Sequence, residues 1–223
     1  MCYSIHYIPE QGKSGTPAQS RQSRKMRSEG FADSGLLQGA FSDGKRGNAP
    51  GLGSHCPFVC HKRGELLIRE NERPRDLFLL VDGVFRGYFY DDNGRDITEC
   101  FAYRPGTPVM ACTELGMPST INLAALNDSV CLALPIDELR VLMVLYPDLL
   151  KLSNKLLLDS LQYHWMVKSL LYKYTAKQRY QWFCQTHPGL TELAGAKYVA
   201  SFLNMTPVTL SRLRRELKEG EDG

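Results

Sequence analysis

The sequence predicts an α+β protein, with an antiparallel β domain first and helices after it. Three observations predict this order. Short segments of β-type residues alternate with turn residues between residues 65 and 134. Beyond Pro135 the apolar residues follow a helical period. Near the C-terminus, two short helical patterns flank a turn of about three residues, which is the arrangement of a helix-turn-helix.

The composition is that of an ordinary globular chain. Of 223 residues, 43% are apolar and 23% are charged, which excludes a collagenous or wholly disordered protein. The longest apolar stretch, residues 136–161, is interrupted by seven charged side chains and does not fit a membrane span. The N-terminus shows no secretory signal, so we expect a cytoplasmic protein without a membrane partner. Seven scattered cysteines favour free thiols.

Residues 1–54 have the composition of a disordered extension. They contain 9 of the 19 glycines and no apolar periodicity, so they bury too little surface to offset the entropy of ordering. They also hold 7 Lys and Arg against 4 Asp and Glu, which equals the net charge of +3 for the whole chain. We interpret them as a solvated tail. The alternative is a nucleic-acid-binding arm that uses Arg21, Arg24, Lys25 and Arg27.

The β domain is expected to span residues 55–147. Many short strands at this spacing are typical of a sandwich or barrel. The pairs Asp82-Gly83 and Pro105-Gly106 separate strands, and Asn93-Gly94 supplies the positive φ angles of a tight hairpin. The predicted strands cover residues 65–69, 77–81, 84–90, 97–103, 120–126 and 130–134.

A short helix is predicted over residues 137–145 and a dimerisation helix over residues 148–172, the latter roughly 36 Å long. The long helix carries two adjacent apolar stripes, whereas a helix packed on one domain needs only one. We predict that the second stripe contacts a symmetry mate; the alternative is a helix buried between two domains of one chain. The first stripe contains Leu149, Leu152, Leu156, Tyr163, Met166 and Leu170, and the second contains Leu150, Leu157, Leu161, His164 and Leu171.

Residues 173–223 are predicted to form the helix-turn-helix domain. They hold 8 Lys and Arg against 5 Asp and Glu, which favours an acidic partner. Helices are expected over residues 177–186, where Thr175 is the cap, over 197–203, and from Pro207 to about residue 218. Ala200 allows the helices to approach closely, and Asn204 fits a left-handed turn position. The expected apolar seam is Val199, Phe202, Leu203, Leu210, Leu213 and Leu217.

The last helix keeps a basic face outside this seam. Arg212 and Arg215 lie on it, and the hydroxyls of Thr206 and Thr209 lie near its positive N-terminus, which suits DNA phosphates. A plain helical hairpin with solvated arginines is the other interpretation of this pattern. The residues expected to face outward are Pro207, Val208, Ser211, Arg212 and Arg215.

Two motifs together resemble the Crp/Fnr family of bacterial transcription regulators. Residues 64–70, 79–86 and the hairpin at 92–95 are similar to its cyclic-nucleotide-binding β-roll, a jelly-roll, and residues 197–215 look like its helix-turn-helix. The similarity runs from about Cys60 to Leu217. It implies a β-roll, a dimerisation helix and a winged helix-turn-helix. It further implies a homodimer on a near-palindromic double-stranded operator, and it leaves room for RNA polymerase as a further partner. We expect no enzyme activity and no cofactor.

The resemblance also assigns roles to individual residues. It places Arg212 at the main base-reading position, where a guanidinium holds guanine O6 and N7. Pro207, Val208 and Ser211 fall at the other base-facing positions, and the first two offer apolar contact only, as to a thymine methyl. Phosphate contacts are expected from Lys197, Thr206 and Thr209, and Arg215 completes the predicted DNA-binding set.

The expected effector region departs from the family pattern. Cyclic-AMP-binding members use a Gly-Glu pair and, about ten residues later, an Arg-Ser or Arg-Thr pair. Here residues 112–120 are shorter, and Ser119 takes the place of the phosphate arginine. Because a hydroxyl cannot replace a bidentate guanidinium, we predict that cyclic AMP is not the effector. Another small molecule is expected around Met110, Glu114, Ser119 and Thr120, if the site is used.

Two other functional classes fit parts of the sequence. Cys56 and Cys60, next to His55 and His61, fit a redox- or metal-responsive regulator, but an extended chain would separate the two cysteines by roughly 13 Å, so we expect no metal site. A dimeric ligand-binding protein without DNA binding is the third class, and the basic last helix opposes it. No nucleophile elbow, P-loop or paired-histidine motif is present, so we expect no catalytic residues.

Overall fold

A computed structural model of the chain describes residues 56–111 and 114–221, with side chains up to Leu217. The expected N-terminal extension, residues 1–54, lies outside the described residues, and so do Cys112 and Thr113. The described residues all belong to one compact unit.

The β domain consists of two four-stranded antiparallel sheets. One sheet has the strand order β1-β8-β3-β6 and the other β2-β7-β4-β5. The strands are β1 (Phe58–His61), β2 (Leu66–Ile68), β3 (Asp76–Asp82), β4 (Phe85–Tyr90), β5 (Asp96–Ala102), β6 (Pro108–Val109), β7 (Asn122–Ala125) and β8 (Ser129–Pro135).

All six predicted strands are present, and two further strands escaped the sequence pattern. β1 is an edge strand that pairs with β8, and its polar Cys60 and His61 hide the alternation that identifies a strand. β6 is only two residues long, begins with a proline and lies at the other edge of the same sheet, where a missing N–H is tolerated.

The β4–β5 hairpin forms as the turn sequence predicts. Gly94 has a φ of 72°, and its N–H donates to the Asp91 carbonyl at 2.8 Å. The Asp91 carboxylate also accepts from the backbone N–H groups of Asn93 and Arg95. These hydrogen bonds lower the pKa of Asp91 and hold the turn closed. The turn therefore connects β4 and β5 as a closed antiparallel hairpin.

The two sheets enclose an apolar core. Leu80, Phe85, Val109 and Leu123 are essentially inaccessible to solvent within it. Cys131 is fully buried there too, and burial raises the pKa of its thiol to about 12. Such a thiol behaves as a small apolar side chain, as expected from the sequence.

Six helices follow the sheets. They are α1 (Ile136–Leu145), α2 (Pro147–Lys173), α3 (Ala176–Thr186), α4 (Leu190–Ala194), α5 (Ala196–Phe202) and α6 (Pro207–Glu221). The sequence pattern missed α4, because Pro188-Gly189 was interpreted as a break. Gly189, at a φ of 77°, instead precedes a single further helical turn. No described helix is both long and apolar enough to span a membrane.

The C-terminal region differs from the predicted winged form. Within the described residues 136–221 every regular element is a helix, so the helix-turn-helix has no strand to form a wing. The short helix α4 occupies the segment between α3 and the helix-turn-helix.

A second apolar core joins the β domain to the helices. Val84 from the β3–β4 turn and Phe101 from β5 pack with Tyr163 and Leu170 of α2 and with Phe183 of α3. The same cluster contains the buried residues of the helix-turn-helix. Contact with the β domain therefore fixes the position of the helix-turn-helix in this conformation.

Candidate nucleic-acid interface

The two helices α5 and α6 and the turn between them form the predicted helix-turn-helix. The turn residue Asn204 has a φ of 49°, one of two positive values among the described non-glycine residues, which confirms the left-handed position expected from the sequence. Its N–H donates to the Ser201 carbonyl, and the Met205 N–H donates to the Ala200 carbonyl at 2.9 Å. Ala200 is completely buried, so a small side chain is needed where the helices meet.

The apolar seam consists of the six residues predicted. Val199, Leu203 and Leu210 are fully buried, and Phe202 and Leu213 are nearly so. Leu217 packs against them at the end of the seam. Burial of this seam fixes the rotation of α6 about its own axis and thus decides which side chains face solvent.

The first turn of α6 is capped by threonine. The Thr206 hydroxyl accepts from the Thr209 N–H at 3.1 Å, and the two threonine hydroxyls lie 2.9 Å apart. Pro207 occupies the first helical position, where no N–H is needed. Both hydroxyls are thus engaged in the cap.

The outward face of α6 matches the predicted set. All of its members are exposed, and Val208 is 79% exposed, which is unusual for a large apolar side chain. Lys197, at the start of α5, is also exposed, with its ammonium 5.6 Å from the Tyr198 ring. The predicted members of this face are Pro207, Val208, Ser211, Arg212 and Arg215, and Glu216 is exposed beside Arg212.

The arginines of α6 have different partners. The Arg212 side chain is 65% exposed and lies 3.6 Å from Glu216, one turn later. Arg214 points away from the outward face and pairs with Glu192 of α4 at 3.2 Å. An exposed pair such as Arg212–Glu216 contributes little energy, so the guanidinium exchanges it readily for another acceptor.

No role for Arg86 is predicted from the sequence, but its side chain joins the β4–β5 hairpin to the helix-turn-helix. It is 3% exposed, bonds the Asp96 carboxylate and donates to the Thr98 hydroxyl at 2.9 Å. Its guanidinium also stacks on Tyr198 of α5, 4.1 Å from the ring centre. Burial lowers its pKa. Arg86 and Asp96 lie on the two strands that the predicted hairpin turn connects. This position is the one feature of the sequence from which their pairing could have been predicted.

A second contact between β5 and α5 lies close to Arg86. The Ser201 hydroxyl accepts from the Thr98 N–H at 2.9 Å and donates to the Asp96 carbonyl at 3.2 Å. These backbone groups belong to β5, so α5 completes the hydrogen bonding of that strand. The helix-turn-helix is thereby docked on the β domain by polar as well as apolar contacts.

His187 lies buried where the β domain, α2 and α3 meet. Its Nδ1 is 3.0 Å from the Tyr103 hydroxyl and its Nε2 is 3.2 Å from the Tyr163 hydroxyl. Burial raises the pKa of Tyr103, and it raises that of Tyr163 well above its usual range, so the two tyrosine hydroxyls stay protonated. The network is internal and does not reach the outward face of α6.

The four predicted effector residues do not share one surface. Met110 is buried and packs with Leu77, Leu156 and Leu157. Glu114 and Thr120 are exposed, and the Thr120 hydroxyl donates to the Ala111 carbonyl. The buried Ser119 hydroxyl donates to the Ile121 carbonyl at 2.5 Å, and the Ile121 N–H returns a longer bond of 3.4 Å. Of the polar side chains in this set, those of Ser119 and Thr120 form hydrogen bonds with nearby backbone groups, and only Glu114 does not do so within the described residues.

A groove of about 570 Å³ lies elsewhere, between α2 and α3. None of the four predicted effector residues lines it. Its walls are Met166, Ser169, Leu170, Lys173, Tyr174, Gln178, Gln181, Trp182 and Gln185.

The exposed stripe of α2 differs from the prediction. Leu158, Leu161, Trp165 and Tyr172 are 65%, 39%, 60% and 83% exposed. Of the residues expected to face a partner, Leu157 and Leu171 instead pack on their own chain. The prediction is correct for Leu150 and Leu161, which are exposed. It is wrong for Leu157 and Leu171, because leucines surround this helix and periodicity alone could not decide which of them the β domain covers.

The described cysteines do not form a metal site. Cys60 lies on the extended strand β1 and is exposed, while Cys56 precedes it. Burial raises the pKa of the Cys56 thiol, which disfavours the thiolate that binds metals. Within residues 56–111 and 114–221, no three His, Cys, Asp or Glu side chains gather in a way that would hold a metal ion.

Comparison with known proteins supports this architecture. Residues 58–146 match the family model of the cyclic nucleotide-binding domain. No curated protein matches the chain in sequence. Among solved structures, FixK2 from Bradyrhizobium japonicum superimposes with a TM-score of 0.67 at 17% identity, covering 74% of this chain and 86% of that one.

Two further structures share the arrangement of β domain and helices. A CooA mutant from Carboxydothermus hydrogenoformans has a TM-score of 0.60 at 20% identity, covering 74% of this chain and 77% of that one. A protein described as a transcriptional regulator of the Crp/Fnr family, from Eubacterium rectale, has a TM-score of 0.57 at 16% identity, with 74% and 80% covered. The chain has the Crp/Fnr fold. The predicted resemblance is thus confirmed, and its β-roll, long helix and helix-turn-helix are those of this fold.

Proposed function

We propose that the chain is a sequence-specific DNA-binding transcription regulator without enzyme activity. The observation that carries the proposal is the outward face of α6, where Arg212 and Arg215 are exposed beside a capped helix N-terminus. In a helix-turn-helix the second helix enters the major groove, and its N-terminal residues contact base edges. The seam residues are buried, so this face is the one that α6 offers to DNA.

The residues of this face divide by what they contact. Arg212 reads guanine through two hydrogen bonds, and Ser211 contacts a neighbouring base edge. Pro207 and Val208 contribute apolar contact only, which suits a thymine methyl. Lys197, Thr206, Thr209 and Arg215 contact phosphates or the groove edge and set the register.

The proposed regulator acts as a homodimer. Leu158, Trp165 and Tyr172 are spaced by seven residues along α2, and Leu161 lies three residues after Leu158, so the exposed stripe has the spacing of a coiled-coil seam. Four large apolar side chains exposed on one helix face favour a partner, and an identical helix is the simplest one. Two copies then present two recognition helices to successive major grooves of a near-palindromic site.

Cyclic AMP is not the effector of the proposed regulator. The Ser119 hydroxyl is engaged by Ile121, so position 119 offers a phosphate neither a guanidinium nor a free hydroxyl. The two guanidinium groups that contact this loop, those of Arg73 and Arg140, donate to the Gly116 and Leu115 carbonyls. The site, if used, accepts another small molecule. A cysteine-based redox or metal response is the weaker alternative, because Cys60 is extended on β1 and the Cys56 thiol has a raised pKa.

The proposal is tested by selecting duplexes from a random-sequence library with the purified full chain. Selection is run with and without a low-molecular-weight extract of the source cells, which supplies an effector. We expect an enriched near-palindrome whose affinity falls steeply with salt, because phosphate contacts release counterions. Absence of any enriched sequence under both conditions would contradict the proposal and favour a ligand-binding protein without DNA binding.

A further inference from the structure

Arg179, in the first turns of α3, links the end of α2 to the turn of the helix-turn-helix. Its Nη1 donates to the Tyr174 carbonyl at 3.0 Å and to the Leu171 carbonyl at 3.5 Å. Its Nη2 donates to the Asn204 carbonyl at 3.2 Å. One guanidinium therefore holds backbone groups that are 33 residues apart in sequence, from Leu171 to Asn204.

Capping of α2 alone does not account for this arrangement. An arginine near a helix C-terminus commonly satisfies the last carbonyls, and the bonds to Leu171 and Tyr174 do so here. The bond to Asn204 is not needed for that purpose. In addition, the buried Nε of Arg179 has no hydrogen-bond partner among the described residues, which is an energetic cost. The side chain therefore connects the end of α2 to the turn between α5 and α6, although its own Nε donor is left without an acceptor in the described part of the chain.

The third carbonyl lies at a sensitive position. Asn204 is the left-handed residue between α5 and α6, and Thr206, which caps α6, follows two residues later. A shift of the Asn204 carbonyl therefore moves the start of α6. The rigid planar fork of arginine fixes both ends of the link, whereas a lysine ammonium would bind as a point charge.

The link gains a function from the proposed dimer, on which this inference rests. The exposed stripe of α2 lies at the proposed two-fold axis, so the path from the axis to each recognition helix runs along α2 and then through Arg179. The β domain holds α5 from another side through Arg86 and Ser201. Arg179 instead connects the helix-turn-helix to the end of α2.

We propose that Arg179 is a positioning residue that sets the separation of the two recognition helices, and with it the half-site spacing that the dimer prefers. Half-site spacing in such dimers is a geometric consequence of the protein. Loosening the link should leave each recognition helix intact while it weakens the requirement for one spacing.

The test compares the wild type, Arg179→Lys and the control Lys177→Ala, an exposed residue of the same helix. Each full-length protein is titrated onto a single half-site and onto operators whose half-sites are moved apart or together by one or two base pairs. We expect Arg179→Lys to bind the single half-site within about two-fold of the wild type. We expect its preference for the best spacing to fall from about ten-fold or more to about three-fold or less. Lys177→Ala should keep the wild-type preference.

The outcomes separate this inference from the proposed function. A wild type that binds no duplex overturns both. A wild-type spacing preference in Arg179→Lys, with half-site binding intact, overturns the role of Arg179 alone. If Arg179→Lys loses half-site binding, Arg179→Gln replaces it. Loss of half-site binding in both variants also overturns the inference, because Arg179 would then maintain the helix-turn-helix itself.

Discussion

The outward face of α6 carries the predicted DNA-binding residues, and the loop at residues 114–120 carries most of the predicted effector residues. The two regions differ in how many of these side chains are free to contact a partner. Pro207, Val208 and Arg212 all face solvent from one side of a helix. In the loop, the Ser119 hydroxyl bonds the neighbouring backbone and only Glu114 is left with an exposed polar group of its own. In this chain, the side chains assigned on the regular element are exposed as the sequence predicts, whereas the hydroxyls assigned on the loop bond nearby backbone groups.

The physical reason lies in the constraints on each region. Burial of the seam residue Leu210 fixes the rotation of α6, so the side chains one and two positions later must face outward. The loop has no such periodicity, and its backbone groups must find partners one by one. The Ser119 hydroxyl supplies one of these partners, so it is not available to bind a ligand.

The largest expected effect concerns the exposed stripe of α2. In the proposed dimer this stripe joins two chains, so that two copies of α6 bind one operator. Leu158→Glu places a charge in the proposed seam and should give a monomer with about 10²- to 10⁴-fold weaker operator binding, since bivalency is lost. Sedimentation and operator titration measure the two effects. Lys155→Glu, exposed on the same helix outside the stripe, is the control and should remain dimeric. A dimeric Leu158→Glu would refute this seam.

The next effect concerns the base-reading position on α6. Arg212→Ala should weaken specific binding by about 1–3 kcal/mol, or roughly 5- to 150-fold, and leave non-specific binding nearly unchanged. Competition titrations with operator and random duplexes measure the difference. Arg214→Ala is a matched control in the same helix, because Arg214 pairs with Glu192 and not with the outward face. Equal specificity in both variants would remove Arg212 from the site.

The smallest effect tests whether the loop is structural. Ser119→Ala should lower the free energy of unfolding by about 1–2 kcal/mol, because the buried N–H and carbonyl of Ile121 lose their partner. Urea titration measures the loss. Thr120→Ser, which keeps the hydroxyl that bonds Ala111, is the control and should change stability little. Millimolar cyclic AMP should stabilise none of these proteins, whereas a bound ligand would raise the unfolding free energy.

Much of the fold was predictable because it depends on local patterns. Six strands, five of the six helices and the left-handed Asn204 follow from alternation, helical period and turn chemistry. The elements that were missed are short or atypical, as in the two-residue strand β6 and the single turn α4. Such elements are stabilised by packing against parts of the same chain that are distant in sequence. A local sequence pattern therefore does not predict them.

Tertiary contacts decided which apolar and polar side chains remain available. Leu157 and Leu158 are adjacent leucines of the same helix, but one packs toward Met110 and the other is 65% exposed. Arg86 and Arg179 read as ordinary charged residues in the sequence, and only the folded chain shows that they join the helix-turn-helix to the β domain and to α2.

The sequence by itself thus determined the order of elements, the helix-turn-helix seam and the outward face of α6, since periodicity in a chain fixes which residues share a side of a helix. The tertiary structure alone decided which stripe of α2 is exposed, the use of the Ser119 hydroxyl by its own backbone, and the two arginine contacts. These features depend on which surfaces meet, and that is set by residues far apart in the chain.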